Sequence, residues 1–373
     1  MNKPDAVGRE TWTGFPLLAA PEHYRACEWD LRKATARRDY WLGLFRKHFP
    51  SLLEAYRKEA ADRGEDVEMI ERAAGEAADR FMAYLDLLEA GLSGPGQGER
   101  LDILTICTAR EQALAAAGIA DAYRLAKQTD TRHALALLPG LLDELDAMAE
   151  PARRVAVIEG VFAGNIYDLG ATETAAMFAD RRVDFRAVRG ELKPRPWRYD
   201  ALDAWLARLD GPAHRAAAVF VDNAGPDVTL GMLPLARELL KRGTDVILTA
   251  NTTPSLNDVT HDELTELVDA VAEFDAVIGR ARSAGRLRLI ASGNHAPLID
   301  LSRISGALAA AVDRAGVDLV VLEGMGRAVE SNFNARLRCD TLKLAMIKDA
   351  GVADALEAEL FDLVMKFEPG DGQ

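Results

Sequence analysis

The segment Val219-Phe220-Val221-Asp222-Asn223-Ala224-Gly225-Pro226-Asp227 is an apolar run that stops at an acid, an amide and a glycine turn. It reads as a buried strand delivering oxygen donors to the carboxyl end of a sheet, where open α/β proteins place their ligands. Three further segments share the pattern. Residues 246–250 run into Asn251 and then Asn257-Asp258; residues 287–291 run into Ser292-Gly293-Asn294-His295; residues 319–322 run into Glu323-Gly324-Met325-Gly326-Arg327. Each Asp or Asn alone is explained by helix capping or a turn. Together, Asp222, Asn223 and Asp258 form a set of two carboxylates and one amide suited to Mg²⁺ or Mn²⁺, which take oxygen donors. No His/Cys cluster accompanies them, which disfavours zinc.

Gly324 and Gly326 expose backbone N–H groups that could cradle an anion beside Arg327. Lys343 falls at the start of a predicted helix, where a positive charge is unfavourable; it is either a solvated charge or a phosphate ligand. Lys348 reads as ordinary helix surface. His295 is either an acid–base group or a hydrogen-bonding turn residue. The sequence has no Walker A loop and no GxSxG elbow. A haloacid-dehalogenase site would need a second Asp two positions after Asp222, where Ala224 stands.

These groups need a sheet to position them. Strands are predicted at 217–221, 245–250, 287–291, 319–322 and 361–365, alternating with helices at 229–242, 260–273, 305–315 and 341–350. Such alternation implies right-handed crossovers and a mainly parallel, Rossmann-like sheet covered on both faces, a three-layer α/β sandwich. Parallel strands then bring all four polar endings to one edge. Residues 29–148 carry helical periodicity with almost no strand signal, so an N-terminal helical region over 1–150 is expected to precede an α/β domain over 151–373. Within that domain 183–212 is read as a connector holding a short helix at 199–209. The spaced glycines of 91–98 follow a helix rather than a strand, so they form a loop and not a dinucleotide fingerprint.

The chain has 373 residues and a net charge of −14, from 45 basic and 59 acidic residues. That balance disfavours nucleic-acid binding. Three widely spaced cysteines fit neither a disulfide framework nor a CxxC site, and no apolar run approaches a membrane span. A soluble, cytoplasmic protein is expected, as a monomer or homo-oligomer.

The turn Asp222-Asn223-Ala224-Gly225, the stretch Leu256-Asn257-Asp258-Val259-Thr260, Glu323-Gly324-Met325-Gly326-Arg327, Leu342-Lys343-Leu344-Ala345 and, upstream, Ala163-Gly164-Asn165-Ile166-Tyr167-Asp168-Leu169-Gly170 together resemble the damage-control phosphatases, formerly a domain of unknown function numbered 89. The similarity spans about 155–369 and is strongest to the branch containing the phosphatase domain of pantothenate kinase 4. It implies a metal-dependent phosphatase of small phosphometabolites, using Mg²⁺, Mn²⁺, Co²⁺ or Ni²⁺. In that pattern Asp222, Asn223 and Asp258 hold the ion, Asn165 and Asp168 line the substrate side, and Glu323 to Gly326 with Lys343 surround the phosphate. Asp222, Asp258 and Lys343 are then the catalytic groups, by water attack or through an aspartyl-phosphate on Asp222. The branch implies 4′-phosphopantetheine or its oxidised forms as substrate. The Ser292-Gly293-Asn294-His295 turn departs from the serine-rich stretch of that branch, which keeps sugar phosphates as an alternative. No kinase-like domain precedes the phosphatase region, so the chain is expected to be a stand-alone form with the first 150 residues as helical support. A methyltransferase would need a glycine-rich turn where Asp222-Asn223-Ala224-Gly225 stands, and a purely metabolite-binding protein is the non-catalytic alternative.

Overall fold

The computed structural model describes residues 11–92, 100–166 and 185–370. Four helices come first: α1 (Thr35–Asp62), α2 (Val67–Glu89), α3 (Ile103–Ala116) and α4 (Arg124–Ala147). Asp66 and Asp102 cap α2 and α3 with their carboxylates, supplying acceptors for otherwise unbonded N–H groups. After α5 (Glu150–Asn165) the chain enters the sheet region.

The seven-stranded sheet has the order β2-β9-β8-β7-β3-β4-β5, where β2 is Tyr199–Asp200, β3 Ala216–Phe220, β4 Asp245–Ala250, β5 Leu287–Ala291, β7 Leu319–Glu323, β8 Asp340–Met346 and β9 Leu363–Glu368. Every pairing is parallel except β8 with β9. A separate two-stranded ribbon joins β1 (Trp12–Thr13) to β6 (Ile304–Ser305). The predicted α/β class with a mainly parallel sheet is the observed architecture.

Side chains alternate across the central strands. Ala216, Ala218 and Phe220 share an apolar cluster with α1, α2 and α3, whereas Ala217 and Val219 pack against α4, α5 and the helix Leu233–Lys241. Both faces are therefore dry, as a parallel sheet requires. The first three helices share one continuous core with the sheet.

The segment predicted as a helix over 341–350 is instead β8, paired parallel to β7 through Leu319↔Asp340 to Glu323↔Leu344. Leu, Ala, Met and Lys favour helix intrinsically, but the slot between β7 and β9 outweighs that preference. The short helix of the connector begins at Leu202, after the edge strand β2. Among the described residues no helix is long and apolar enough to cross a membrane.

Candidate active site

Three of the four polar endings, those of β7, β3 and β4, meet at one cavity because these strands are neighbours, and the ending of β5 lies beside that of β4. An isolated antiparallel bridge pairs Asn223 with Asp258, and the Val259 N–H donates to the Asp222 carbonyl at 2.9 Å. Asp222, Asn223 and Asp258 are thereby held side by side, and all three line one cavity of about 130 Å³. A second feature follows the strands: after β3 and β7 the chain enters π-helical turns, Asp227–Met232 and Met325–Glu330. Such turns insert an extra residue and re-aim side chains, and they concentrate at functional sites. Here they deliver Asp227 and Arg327.

Beneath the cavity floor, Asp222, Asp227 and Glu323 bring carboxylate oxygens within 4.8 Å of one another. Asn165, at the end of α5, ties them together: its Nδ2 donates to Glu323 Oε1 at 2.6 Å and to Asp227 Oδ2 at 3.2 Å, with a longer 3.5 Å contact to Asp222 Oδ2. The Asn223 amide donates to Asp222 Oδ2 at 3.0 Å and Asp227 Oδ2 at 2.8 Å. The Asp222 N–H donates to Glu323 Oε2 at 3.0 Å. Gly324 has a φ of 100°, and a Cβ there would lie 2.2 Å from Asp222 Oδ2, so only glycine lets this carboxylate lie against the backbone.

Two cations balance the acids. The Arg327 guanidinium is buried between the carboxylates of Asp222 and Asp258; its Nη2 donates to Asp258 Oδ2 at 2.9 Å and to Asn251 Oδ1 at 3.2 Å. Lys348 donates from Nζ to the Asn165 carbonyl at 2.7 Å and lines the cavity. Burial pushes the Glu323 carboxyl well above its ordinary pKa, and the neighbouring Asp227 raises it further. Burial also raises Asp227, although Lys348 and the amides of Asn223 and Asn165 pull the other way. Asp227 Oδ1 is buried with no hydrogen-bond partner among the described residues. An acid-rich, all-oxygen set of this kind, with one carboxylate oxygen left unpaired among the described residues, fits a hard divalent cation.

Three expectations change. Lys343 lies mid-strand in β8 and away from the acids: its Nζ donates to the carbonyls of Phe333 and Ala335 at 2.9 and 2.8 Å and to Glu368 at 2.7 Å. Lys348, read from the sequence as helix surface, is 1% exposed and supplies the ammonium at the site. The Gly324 N–H is spent on the Leu344 carbonyl at 2.9 Å and cannot cradle an anion, whereas Gly326 does line the cavity. Asp168 lies outside the described residues. His295 sits apart from the acids, its Nδ1 2.9 Å from Thr253 Oγ1 and its ring against Trp12.

The cavity roof comes from the N-terminal helices: Trp41, Phe45 and His48 of α1 and Cys107 and Arg110 of α3. Arg110 is buried, pairs with Glu111 and lies over the Phe45 ring at 5.8 Å. No local signal marked these residues, because they meet the site only through tertiary packing.

Residues 44–364 match the family model described as the damage-control phosphatase ARMT1-like domain. The chain belongs to this family. The match begins inside α1, well before the similarity first seen in the sequence motifs, and so includes the roof. A damage-control phosphatase of Arabidopsis thaliana is 36% identical over 363 residues, covering 95% of this chain and 96% of that protein. Pantothenate kinase 2 of the same plant is 38% identical over 385 residues, and 4′-phosphopantetheine phosphatase of Mus musculus 32% over 403. Each covers 95% of this chain, which spans only 42% and 48% of those two longer relatives. Among solved structures, a DUF89 family protein from Pyrococcus horikoshii superimposes with a TM-score of 0.58 at 13% identity, over 86% of this chain and 96% of that one, a likeness of fold.

Proposed function

We propose that this damage-control family member is a metal-dependent phosphomonoesterase of small phosphometabolites, with 4′-phosphopantetheine or its oxidised forms as the preferred class. The observation that carries this reading is the convergence of Asp222, Asn223, Asp258 and Lys348 on one roofed cavity at the carboxyl edge of the sheet. Family membership and the mouse relative's name support it.

In this reading Asp222, Asn223 and Asp258, which line the cavity, would hold the divalent ion, with Asp227 and Glu323 completing the acid cluster behind Asp222 and Asn165 tying that cluster together. When bound, such an ion supplies Lewis-acid polarisation of a phosphoryl oxygen and a more acidic water. Lys348 holds its ammonium where equatorial phosphoryl charge accumulates, a preorganised stabilisation. Asp222 and Asp258 orient the attacking water, and the aromatic roof limits bulk solvent. The helical region over 1–150 is thus half of the active-site enclosure rather than a separate support. The protein works in the cytoplasm as a soluble enzyme on free metabolites.

The test is phosphate release from 4′-phosphopantetheine, its S-oxidised forms, hexose phosphates and p-nitrophenyl phosphate, with Mg²⁺, Mn²⁺, Co²⁺ or Ni²⁺ against a chelated control. Turnover that needs metal and favours the pantetheine series is expected; inactivity on every substrate with every metal overturns the reading. Direct attack by water inverts the configuration at phosphorus of a chiral phosphoryl substrate, whereas an aspartyl-phosphate on Asp222 gives net retention and is trapped by borohydride reduction of that side chain.

A further inference from the structure

A second cavity, of about 740 Å³, adjoins the first. Leu256 and Leu298 line both and so stand at the boundary between the two volumes. Leu256 is held at a φ of 49°, an unfavourable conformation for a side chain of its size. The loop that carries it is tied across the partition: Ser255 Oγ donates to Glu111 Oε1 at 2.9 Å, while Arg110, the neighbour of Glu111 on α3, faces the first cavity. Asn294, more than nine-tenths buried, lines the second cavity, and its Oδ1 is buried with no hydrogen-bond partner among the described residues.

From this geometry we infer that the second cavity receives the far end of an extended phosphoester whose phosphate lies in the first, with Thr108, Gln112, Thr253 and Asn294 among the polar residues that line its path. The inference rests on the proposed phosphatase reading and selects within it. A compact hexose phosphate leaves the larger cavity empty. A tail carrying a second phosphoryl group finds little to hold it, because the lining offers the guanidinium of Arg303 beside the carboxylate of Asp300, and its other carboxylates, Glu111 and Asp121, are already paired with Arg110 and Lys127.

Thr108 of α3 lines this cavity, and its hydroxyl donates to the Leu104 carbonyl of its own helix. Thr108→Trp would fill the space. With metal-loaded full-length enzyme, kcat/KM for 4′-phosphopantetheine relative to glycerol 3-phosphate should fall at least tenfold, mainly through KM, and calorimetric binding of pantetheine itself should weaken similarly. A ratio and a pantetheine affinity both within twofold of wild type overturn the inference. Should Thr108→Trp fail to fold, Ala115→Trp, at an exposed helix position on the rim, replaces it with the same readouts. If the wild type hydrolyses nothing yet binds pantetheine in a manner the Trp variant abolishes, the cavity assignment stands and the phosphatase reading falls. Absence of pantetheine binding to wild type sinks the cavity assignment by itself.

Discussion

A single buried acid and a buried acid cluster sit at opposite edges of the same sheet, and they are built differently. At the amino edge, Asp340 opens β8 and is fully met: Arg208 Nε donates at 2.6 Å, the His214 ring Nε2 lies at 2.8 Å, and the Gly370 N–H donates at 2.9 Å. Burial tends to raise its pKa, yet those partners together hold the carboxyl below its ordinary value. At the carboxyl edge, Asp227 and Glu323 are equally buried but stand above their ordinary values. The first arrangement is a closed structural account of one charge. In the second, burial and the close approach of the two acids outweigh Lys348 and the surrounding amides, a kind of perturbation that clusters at functional sites.

The sharpest way to break this contrast is Asp222→Asn at the carboxyl edge. Metal-dependent phosphate release is expected to fall roughly 10³-fold, in line with removing a group that organises transition-state charge; retention of full activity removes this edge from the chemistry. Lys348→Met should cost about 10² in kcat with a near-native melting curve. Asp340→Asn should do the converse, costing about 2 kcal/mol or more by leaving Arg208 with a weaker buried partner, while the rate per folded molecule stays unchanged; urea titration with active-site normalisation separates the two.

A smaller effect concerns acidity. Burial keeps the His214 pKa below its ordinary 6.5 despite Asp340. Below pH 6.5 the unfolded chain therefore binds a proton that the native ring refuses, so stability falls as the pH drops through and below that value. His214→Gln should flatten this limb of a stability–pH curve, and an unaltered limb would discount the neutral-ring assignment. The smallest change is expected from Lys343→Met. Activity should stay within about threefold, since the Lys343 ammonium donates to the carbonyls of Phe333 and Ala335 and to Glu368, away from the cavity. Burial lowers the Lys343 pKa to about 8, so wild type should gain stability relative to this variant between pH 8 and 10.5, where the unfolded chain still holds the proton.

The pair Lys343 and Lys348 shows what the sequence made legible. β3, β4, β5 and β7 were readable because apolar runs bounded by Asx and glycine turns have few other uses. The segment 340–347 mixes Leu, Ala, Met and Lys, and its composition pointed to a helix. Had it been read as a strand, the rule that worked elsewhere would have applied again: Lys348-Asp349 is a fifth polar ending at the carboxyl edge. Asp227 was visible in the opening motif, but only the π-helical turn after Pro226 brings it back under Asn223. Asn165 carried no local signal beyond the family resemblance. The roof from α1 and α3 was invisible because amphipathic periodicity tells which face is buried, not what it covers.

The enclosure around the first cavity draws on positions 41 to 48, 107 to 110, 222 to 258 and 348. Contacts so distant along the chain are slow to form, because long loops must close before they are rewarded. During refolding, helical signal from α1 to α4 should therefore recover early, while catalysis returns in one late step. A chain still emerging from synthesis can hold most of its secondary structure and yet possess a floor without its lysine, so the timing of activity is set by the last strand to dock.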